Sequence, residues 1–223
     1  MSRERTTNEA RRREGAFRRC RTVFTYRELL VNLTRTELRI KYKNSVLGFL
    51  WSLLNPVLYL VVFSLVFQEI LRAQIPRFAI FLLSGLLVWN FFSASLGGGA
   101  GSIIGNAPIV QKVWFPREVL PLASVGAAMV HFLLQALVLA GALLLFRHEP
   151  DWAALALLPL ALLALTLLAA AAALALAVLN VHYRDTQHLL ELVLMAWFWL
   201  TPIVYNHQLI ADRLGTNDWV AML

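Results

Sequence analysis

The chain has 223 residues, of which 59% are hydrophobic and 15% are charged, and its mean hydropathy is +0.65. This balance excludes an ordinary soluble domain and indicates an integral membrane protein. Cys20 is the single cysteine, so no disulfide forms within these residues, and the formal net charge of +7 is concentrated. Thirteen of the 20 Lys and Arg residues precede the first long apolar run. A basic segment beside an apolar run favours a cytoplasmic position next to anionic lipid.

The first 48 residues divide into two parts. Residues 1–23 are rich in Arg and Glu, which predicts a basic, disordered cytoplasmic N-terminus. Residues 24–48 carry leucines at helical spacing among Arg and Lys, which predicts an amphipathic helix on the inner membrane surface. A helix packed on a protein partner is compatible with the same pattern.

Five apolar runs follow, and each predicts a membrane-spanning helix within a transmembrane domain over residues 49–205. The runs cover about residues 49–71, 78–96, 119–146, 152–179 and 189–205. Asn55-Pro56 predicts a kink or a broken start in the first span, and the glycine cluster at 97–101 predicts the end of the second helix. The predicted fold is therefore an all-α integral membrane protein, a polytopic helical bundle.

The distribution of basic residues predicts the orientation of the bundle. With the N-terminus inside, residues 1–48, 97–118 and 180–188 hold 16 basic residues, and the outer segments hold four. This asymmetry favours a multi-pass protein with a cytoplasmic N-terminus. Five spans leave residues 206–223 outside, as the start of an external region that we expect to be truncated before a sixth span.

The sequence carries no catalytic signature. The patterns GxxxxGK[ST], HExxH and CxxC do not occur, so we expect neither an enzyme nor a metal site in this chain. His131 and Gln135 lie one turn apart in the middle of the third span. Polar groups at that depth face the bundle interior or a cavity, and helix–helix hydrogen bonding is favoured here over substrate contact.

Aromatic side chains and one loop are the remaining candidates. The aromatic residues of the first and fifth spans suit either sugar stacking or an interfacial belt, and composition favours the belt. The loop at 97–118 is more apolar than a solvated loop should be. We expect it to pack on the membrane surface or on a soluble partner.

Four segments carry a family resemblance. RIKYKNSVLGFLWSLLNP at 39–56 and NAPIVQKVWFPRE at 106–118 are the specific ones, and YRD at 183–185 and WLTPIVY at 199–205 agree with them. In order and spacing, over about residues 25–210, the chain resembles the permease subunit of type-2 ABC exporters of polysaccharides. That family exports O-antigen, teichoic acid, capsule or galactan.

The resemblance implies a function and an assembly. It implies the permease of an ATP-driven ABC transporter that exports a lipid-linked polysaccharide across the cytoplasmic, or inner, membrane of a bacterium. Its partners would be a second copy of the chain, two ATP-binding subunits, membrane lipid and the glycan, with no nucleic acid. The chain would hold no cofactor, because ATP and Mg would bind to the partner subunit. The family has six spans, of which five are seen here.

The resemblance also assigns roles to residues. The helix at 24–48 would lie at the interface with the ATPase. Its interface residues would be Arg35, Arg39, Lys41, Tyr42 and Lys43. The loop would hold a coupling helix seated in a groove of the ATPase. The coupling residues would be Ile104, Ile109, Val110, Lys112, Val113, Trp114, Phe115, Arg117 and Glu118. The translocation path would run between two permeases. Its lining would include Phe49, Trp51, Tyr59, Phe63, Trp197, Trp199 and Tyr205.

Two alternatives stay open. One is a type-2 ABC permease for another cargo, such as a drug or a lipid, and the segment at 39–56 with the aromatic spans argues against it. The other is a membrane scaffold without a transport role, against which the coupling-like loop argues. A neighbouring gene for an ATPase with a GxxxxGK[ST] motif would discriminate between them.

Overall fold

The computed structural model describes residues 25–43, 50–66, 78–145, 152–201 and 203. Within these ranges the chain forms seven α-helices and no β-strand, which confirms the predicted all-α fold. In chain order the helices are α1 Arg27–Tyr42, α2 Leu50–Ser64, α3 Phe78–Gly105, α4 Ala107–Lys112, α5 Val119–Leu145, α6 Trp152–His182 and α7 Thr186–Leu200.

Three of these helices, α3, α5 and α6, are long and apolar enough to cross a bilayer. Their apolar segments are Ile80–Gly105, Val119–Leu144 and Ala156–His182. A helix of 26 residues extends about 39 Å, which exceeds a hydrocarbon core of about 30 Å. These three helices correspond to the second, third and fourth predicted spans. In the described part of the chain, the first and fifth correspond to shorter helices, α2 and α7, of 15 residues each.

Helix α3 continues through the glycine cluster at 97–101 and ends at Gly105. The prediction that the helix ends at this cluster is therefore wrong. The reason lies in packing, because a Cβ atom at Gly99 would lie 2.5 Å from the Cβ of Ala173 in α6. Small residues at such a crossing let two membrane helices approach closely. The loop after α3 accordingly begins at residue 106 rather than 97.

Helix α3 is the centre of the bundle and packs against α2, α5, α6 and α7. A stripe of alanines on α6 lies against it, and Ala169, Ala173 and Ala177 are all fully buried at four-residue spacing. Phe91 and Leu96 of α3 join this core from the other side. The stripe and the glycine cluster together fix the spacing of the two longest helices.

Helix α1 lies along the first half of α5. The Thr34 hydroxyl donates to the Ala123 carbonyl oxygen at 3.3 Å, and the Tyr42 hydroxyl lies 3.0 Å from His131 Nδ1. From the first of these contacts to the second, the residue number increases on both helices, so the two helices run in the same direction. The amphipathic helix predicted over 24–48 thus has a protein surface to pack on within its own chain. Its contact with lipid or with an ATPase stays a prediction.

Helix α2 is continuous across Asn55 and Pro56, and Pro56 is buried. The broken start predicted at Asn55 is therefore wrong, and the kink stays a prediction. The predicted N-terminal segment 1–23 and the predicted external region 206–223 lie outside the described residues.

Candidate functional site

The first candidate site is the connection between α3 and α5. Asn106 precedes the six-residue helix α4, and its side-chain amide donates to the Ser102 carbonyl oxygen at 2.9 Å. The Val113 amide donates to the Ile109 carbonyl oxygen at 3.0 Å and closes the last turn of α4. A non-helical stretch then leads into α5 at Val119. Hydrogen bonds therefore hold this short connection directly on the ends of two long helices.

The tip of this connection exposes large apolar side chains. Trp114 is 76% exposed, Val113 is 58% exposed and Ile109 is 47% exposed. We call these three residues the tip surface. Adjacent exposed apolar side chains on a short, ordered segment mark a surface that contacts another molecule.

The structure brings together most of the predicted coupling residues. Six of them line one hollow of about 300 Å³ together with Gln111. Those six are Val110, Lys112, Val113, Trp114, Phe115 and Arg117. Ile104 lies apart from them, in the last turn of α3, and Ile109 belongs to the tip surface. Glu118 and Arg117 line a second cavity of about 260 Å³ beside His182 of α6.

The predicted interface residues of α1 divide between two groups. Arg35, Arg39 and Lys43 are exposed at four-residue spacing, so they share one face of the helix. Lys41 and Tyr42 line a cavity that α1 forms with the neighbouring helices. Lys41 is exposed as well, so Tyr42 is the one of these five residues that is partly buried.

The face of α1 that contacts α5 carries a partly buried carboxyl group. The Ser124 hydroxyl donates to Glu37 Oε1 at 2.8 Å. Burial raises the pKa of Glu37 above its ordinary value, and the hydrogen bond from Ser124 opposes that rise. The contact between α1 and α5 therefore includes a titratable group.

The second candidate site is a polar cavity of about 440 Å³ at the junction of α1, α2, α3 and α5. All four helices contribute side chains to its wall. The lining residues are Lys41, Tyr42, Trp51, Asn55, Asn90, Phe91, Ser93, Ala94, Ala128, His131, Phe132 and Gln135. The cavity is of the size that ligand sites usually have.

The cavity lies far from both ends of the long helices. His131 lies 12 residues after the start of α5, which corresponds to about 18 Å along the axis. Asn90 lies 15 residues before the end of α3, which corresponds to about 22 Å. The polar groups of two apolar helices therefore meet at a similar depth, as expected for side chains that face an interior cavity.

His131 is oriented by α1. Its Nδ1 lies 3.0 Å from the Tyr42 hydroxyl, and the two rings meet edge to face with centroids 5.7 Å apart. When the hydroxyl donates to Nδ1, a neutral imidazole carries its proton on Nε2. The expected helix–helix hydrogen bond of His131 is thus present, and the same residue lines the cavity.

Comparison with known proteins identifies the class of membrane protein. The profile that defines the ABC-2 type transporter family matches residues 28–220. The chain belongs to the ABC-2 type transporter family. As a member with several long apolar helices, it is a multi-pass membrane protein.

Relatives of this ABC-2 transporter chain are named as glycan export permeases. The chain is 37% identical over 202 residues to the O-antigen export system permease protein RfbA of Myxococcus xanthus, covering 91% of this chain and 77% of the relative. It is 33% identical over 188 residues to a protein of that name from Klebsiella pneumoniae, covering 84% and 73%. It is 30% identical over 93 residues to the polysialic acid transport protein KpsM of Escherichia coli, covering 41% and 34%.

The predicted path residues of this transporter chain lie on two separate helices. Helix α2 carries Trp51, which lines the polar cavity, and Tyr59, which is half exposed. Helix α7 carries Trp197, edge to face with Phe92, and Trp199, which is 62% exposed.

The helices that carry the two aromatic sets have different neighbours within one chain. Both helices contact α3, but α2 otherwise packs against α5 and α7 against α6. Phe49, Tyr205 and the Phe63 side chain lie outside the described residues.

Sequence reasoning missed Asn90 and Ser93 of α3 and assigned Asn55 only to a kink. The sequence did carry a signal for Asn90, because this polar residue lies in the middle of an apolar run. His131 lies at a similar depth on the next long helix. Sequence reasoning also missed Asn180, which is 2% exposed and donates to the Ala100 carbonyl oxygen at 2.8 Å. That bond ties α6 to α3 near the α4 connection.

Proposed function

We propose that this chain is the membrane-spanning permease subunit of an ATP-driven exporter of lipid-linked polysaccharide. It would reside in the cytoplasmic membrane of a bacterium with its N-terminus in the cytoplasm. Membership of the ABC-2 type transporter family supports the transport role. The names of its relatives, O-antigen export permease and polysialic acid transport protein, support a glycan cargo over a drug or a simple lipid.

The tip surface supports the proposal that this chain binds an ATP-binding subunit. Two copies of this chain would bind two ATP-binding subunits, which hold ATP and Mg and hydrolyse the nucleotide. Val113 and Trp114 project from the connection between two membrane-spanning helices, where an apolar groove on a partner would cover them. Arg35 of α1, which is exposed and follows the Thr34 contact near the start of α5, would offer a second, basic contact.

The geometry supports a mechanical coupling between partner and membrane. The α4 connection is hydrogen-bonded to the end of α3 and leads directly into α5. A displacement of the tip surface therefore acts on two helices that also line the polar cavity. ATP binding would favour one permease conformation by the difference in its binding free energy for the two states.

The proposed path for the glycan runs between two copies of the chain. Within one chain the aromatic side chains of α2 and α7 lie on helices with different neighbours, so a second copy would bring the two sets together. Trp51, Tyr59, Trp197 and Trp199 would then offer flat apolar faces to sugar rings.

A co-purification experiment tests this proposal. The tagged chain is co-expressed with the ATP-binding subunit encoded beside it, purified in detergent, and its stoichiometry is measured. We expect two permeases with two ATP-binding subunits, and glycan at the cell surface only when the ATPase is active. A well-folded chain that binds no ATP-binding subunit would overturn the transporter assembly. An assembled complex that exports a drug or lipid but no glycan would overturn the cargo.

A further inference from the structure

The cavity of about 260 Å³ that Arg117, Glu118 and His182 line lies where α3, α5 and α6 meet, beside the α4 connection. We call it the junction cavity. The other six described residues of its lining are apolar. Arg117 precedes the start of α5 by two residues, and His182 is the last residue of α6. The charged and polar groups therefore form a rim at the helix ends.

The polar rim and the apolar wall of the junction cavity are separated along the helix axes. The apolar segment of α6 has 27 residues and extends about 40 Å, the thickness of a bilayer with its headgroup regions. His182 at its end therefore lies at the level of the headgroups. Leu174 of the wall lies eight residues earlier, about 12 Å deeper, at the level of the acyl chains.

The rim offers one cation and one carboxylate to a ligand. Arg117 is exposed and Glu118 is partly exposed. Among the described residues, no ion pair or side-chain hydrogen bond joins either of them to another residue. Their backbone is ordered, since the Leu120 amide donates to the Arg117 carbonyl oxygen at 3.2 Å. The start of α5 thus holds two opposite charges that can contact a bound molecule.

His182 adds a third polar group to the rim. Its Nδ1 lies 2.9 Å from the Val178 carbonyl oxygen, and because a carbonyl only accepts, Nδ1 carries the hydrogen. In the neutral imidazole, Nε2 is then an acceptor. The rim therefore combines the donors of a guanidinium with two kinds of acceptor, a carboxylate and an imidazole nitrogen.

This combination fits a zwitterionic headgroup better than a simple ion. An anionic lipid would pair with Arg117 but would be repelled by Glu118. A metal cation would be repelled by Arg117 and would find a single carboxylate in the described lining. A headgroup with a phosphate and a primary ammonium uses both charges. The guanidinium binds the phosphate, and the ammonium donates to the carboxylate and the imidazole.

The size and shape of the junction cavity suit one part of a lipid. Sites for drug-sized ligands measure about 300–1,000 Å³, and this cavity is smaller. Val178 is 55% exposed, so the cavity opens towards the outside of the bundle. Ala171 and Ala175 are also exposed, and they share one face of α6 with Val178 and His182. A hydrocarbon chain that begins at the rim can therefore continue along this apolar face.

We propose that the junction cavity binds a zwitterionic phospholipid that carries a primary ammonium group. Arg117 binds the phosphate, Glu118 and His182 Nε2 accept hydrogen bonds from the ammonium, and the apolar wall holds the start of an acyl chain. This lipid belongs to the surrounding bilayer and is not the cargo, so the inference goes beyond the proposed function and does not depend on it. The bound lipid would join the start of α5 to the end of α6, beside the α4 connection.

Lipid titration by native mass spectrometry tests the assignment. The full chain is purified in detergent, alone and with its ATP-binding subunit. Both samples are titrated with phosphatidylethanolamine, phosphatidylglycerol and phosphatidylcholine that carry the same acyl chains. We expect phosphatidylethanolamine to bind most tightly. Phosphatidylglycerol lacks the ammonium, and the trimethylated nitrogen of phosphatidylcholine has no hydrogen to donate.

Two substitutions separate the contacts of the two charges. Arg117→Gln should weaken phosphatidylethanolamine and phosphatidylglycerol alike, by about fivefold, because both lose the phosphate contact. Glu118→Gln should weaken phosphatidylethanolamine by about fivefold and leave phosphatidylglycerol unchanged or tighter, because only the former has an ammonium group. A loss of packing alone would affect the three lipids equally in both variants.

Arg184 supplies the matched control. It follows His182 by two residues, is exposed, and lies outside the described lining of the junction cavity. Arg184→Gln should leave the affinities for all three lipids unchanged. Equal losses in Arg117→Gln and Arg184→Gln would mean nonspecific attraction to basic side chains and would overturn the proposal. Equal losses of phosphatidylethanolamine and phosphatidylglycerol in Glu118→Gln would also overturn it.

The two samples distinguish a lipid site from a subunit contact. Binding to the chain alone that disappears in the complex would assign the rim to the contact with the ATP-binding subunit and would overturn the inference. Equal affinity for phosphatidylcholine and phosphatidylethanolamine would exclude the ammonium contact and overturn it as well. Selective binding in a complex that exports no glycan would leave the lipid site standing, while the proposed function fails.

Discussion

A Cβ atom placed on Gly99 would lie 2.5 Å from the Cβ of Ala173 and 3.1 Å from its Cα. Gly99 belongs to α3 and Ala173 to α6, so the backbones of these two long helices meet at this point. Ala173 is fully buried, as are Ala169 and Ala177 one turn before and after it. The crossing therefore depends on a residue without a side chain at position 99.

We predict that Gly99→Ala destabilises the protein. The added methyl group would overlap the α6 backbone, and forcing apart a packed crossing costs about 1–3 kcal/mol. The thermal unfolding temperature of the detergent-solubilised protein measures the loss. Gly97→Ala is the control because nothing lies within 4 Å of the position that its added methyl group would take, so it should be neutral or slightly stabilising. Equal effects of the two variants would refute the close crossing.

A second prediction concerns Asn180, which joins α6 to α3 near the α4 connection. Its amide donates to the Ala100 carbonyl oxygen at 2.8 Å, while its Oδ1 is buried without a partner among the described residues. Asn180→Ala should lower the free energy of unfolding by about 1 kcal/mol. Asn180→Asp should cost more, because it removes the donor and buries a carboxylate. The exposed neighbour Val181, changed to alanine, should have little effect, and an equally large loss there would argue against the bond.

A third prediction follows from the raised pKa of Glu37. Between its ordinary value of 4.5 and its raised folded-state pKa, the folded protein binds more protons at this group than the unfolded chain does. The contribution of Glu37 to stability is therefore greatest below that interval and falls as the pH rises through it. Glu37→Gln should abolish this fall in unfolding temperature measured from about pH 4 to about pH 8.

A substitution of Ser124 tests the same pH interval, because it should shift that interval. Its hydroxyl favours the ionised carboxylate, so Ser124→Ala should raise the pKa of Glu37 further and move the fall to higher pH. A pH profile that Glu37→Gln leaves unaltered would show that another group produces it.

The long helices can be predicted because apolar length alone determines a membrane span. The apolar run at 119–146 predicts a span, and α5 covers Val119–Leu145. The end of α3 cannot be predicted in this way. A glycine cluster ends a helix when local propensity decides, but here contact with Ala173, 74 residues further along the chain, decides instead.

The candidate sites likewise combine features that the sequence predicts with features that it does not predict. The apolar character of the loop at 97–118 predicts a contact surface, and the structure exposes Val113 and Trp114 there. The depth of His131 in its span predicts that it faces the interior. The participation of Lys41 and Asn90 in one cavity cannot be predicted, because it depends on the rotation of α3 and on the placement of α1 along α5, which no local pattern encodes.

The final prediction concerns the tip surface. Val113→Asp or Trp114→Asp should separate ATP hydrolysis from export, because a charge would have to be desolvated in the apolar groove that we propose for the ATP-binding partner. We expect glycan at the cell surface to fall about tenfold or more while the unfolding temperature of the permease stays the same, since both side chains are exposed. Trp114→Phe is the matched control, because it keeps an aromatic, apolar contact and should retain most export. Full export by both aspartate variants would exclude the tip surface as the contact with the ATP-binding subunit. Reduced export with a lowered unfolding temperature would show instead that these residues stabilise the permease itself.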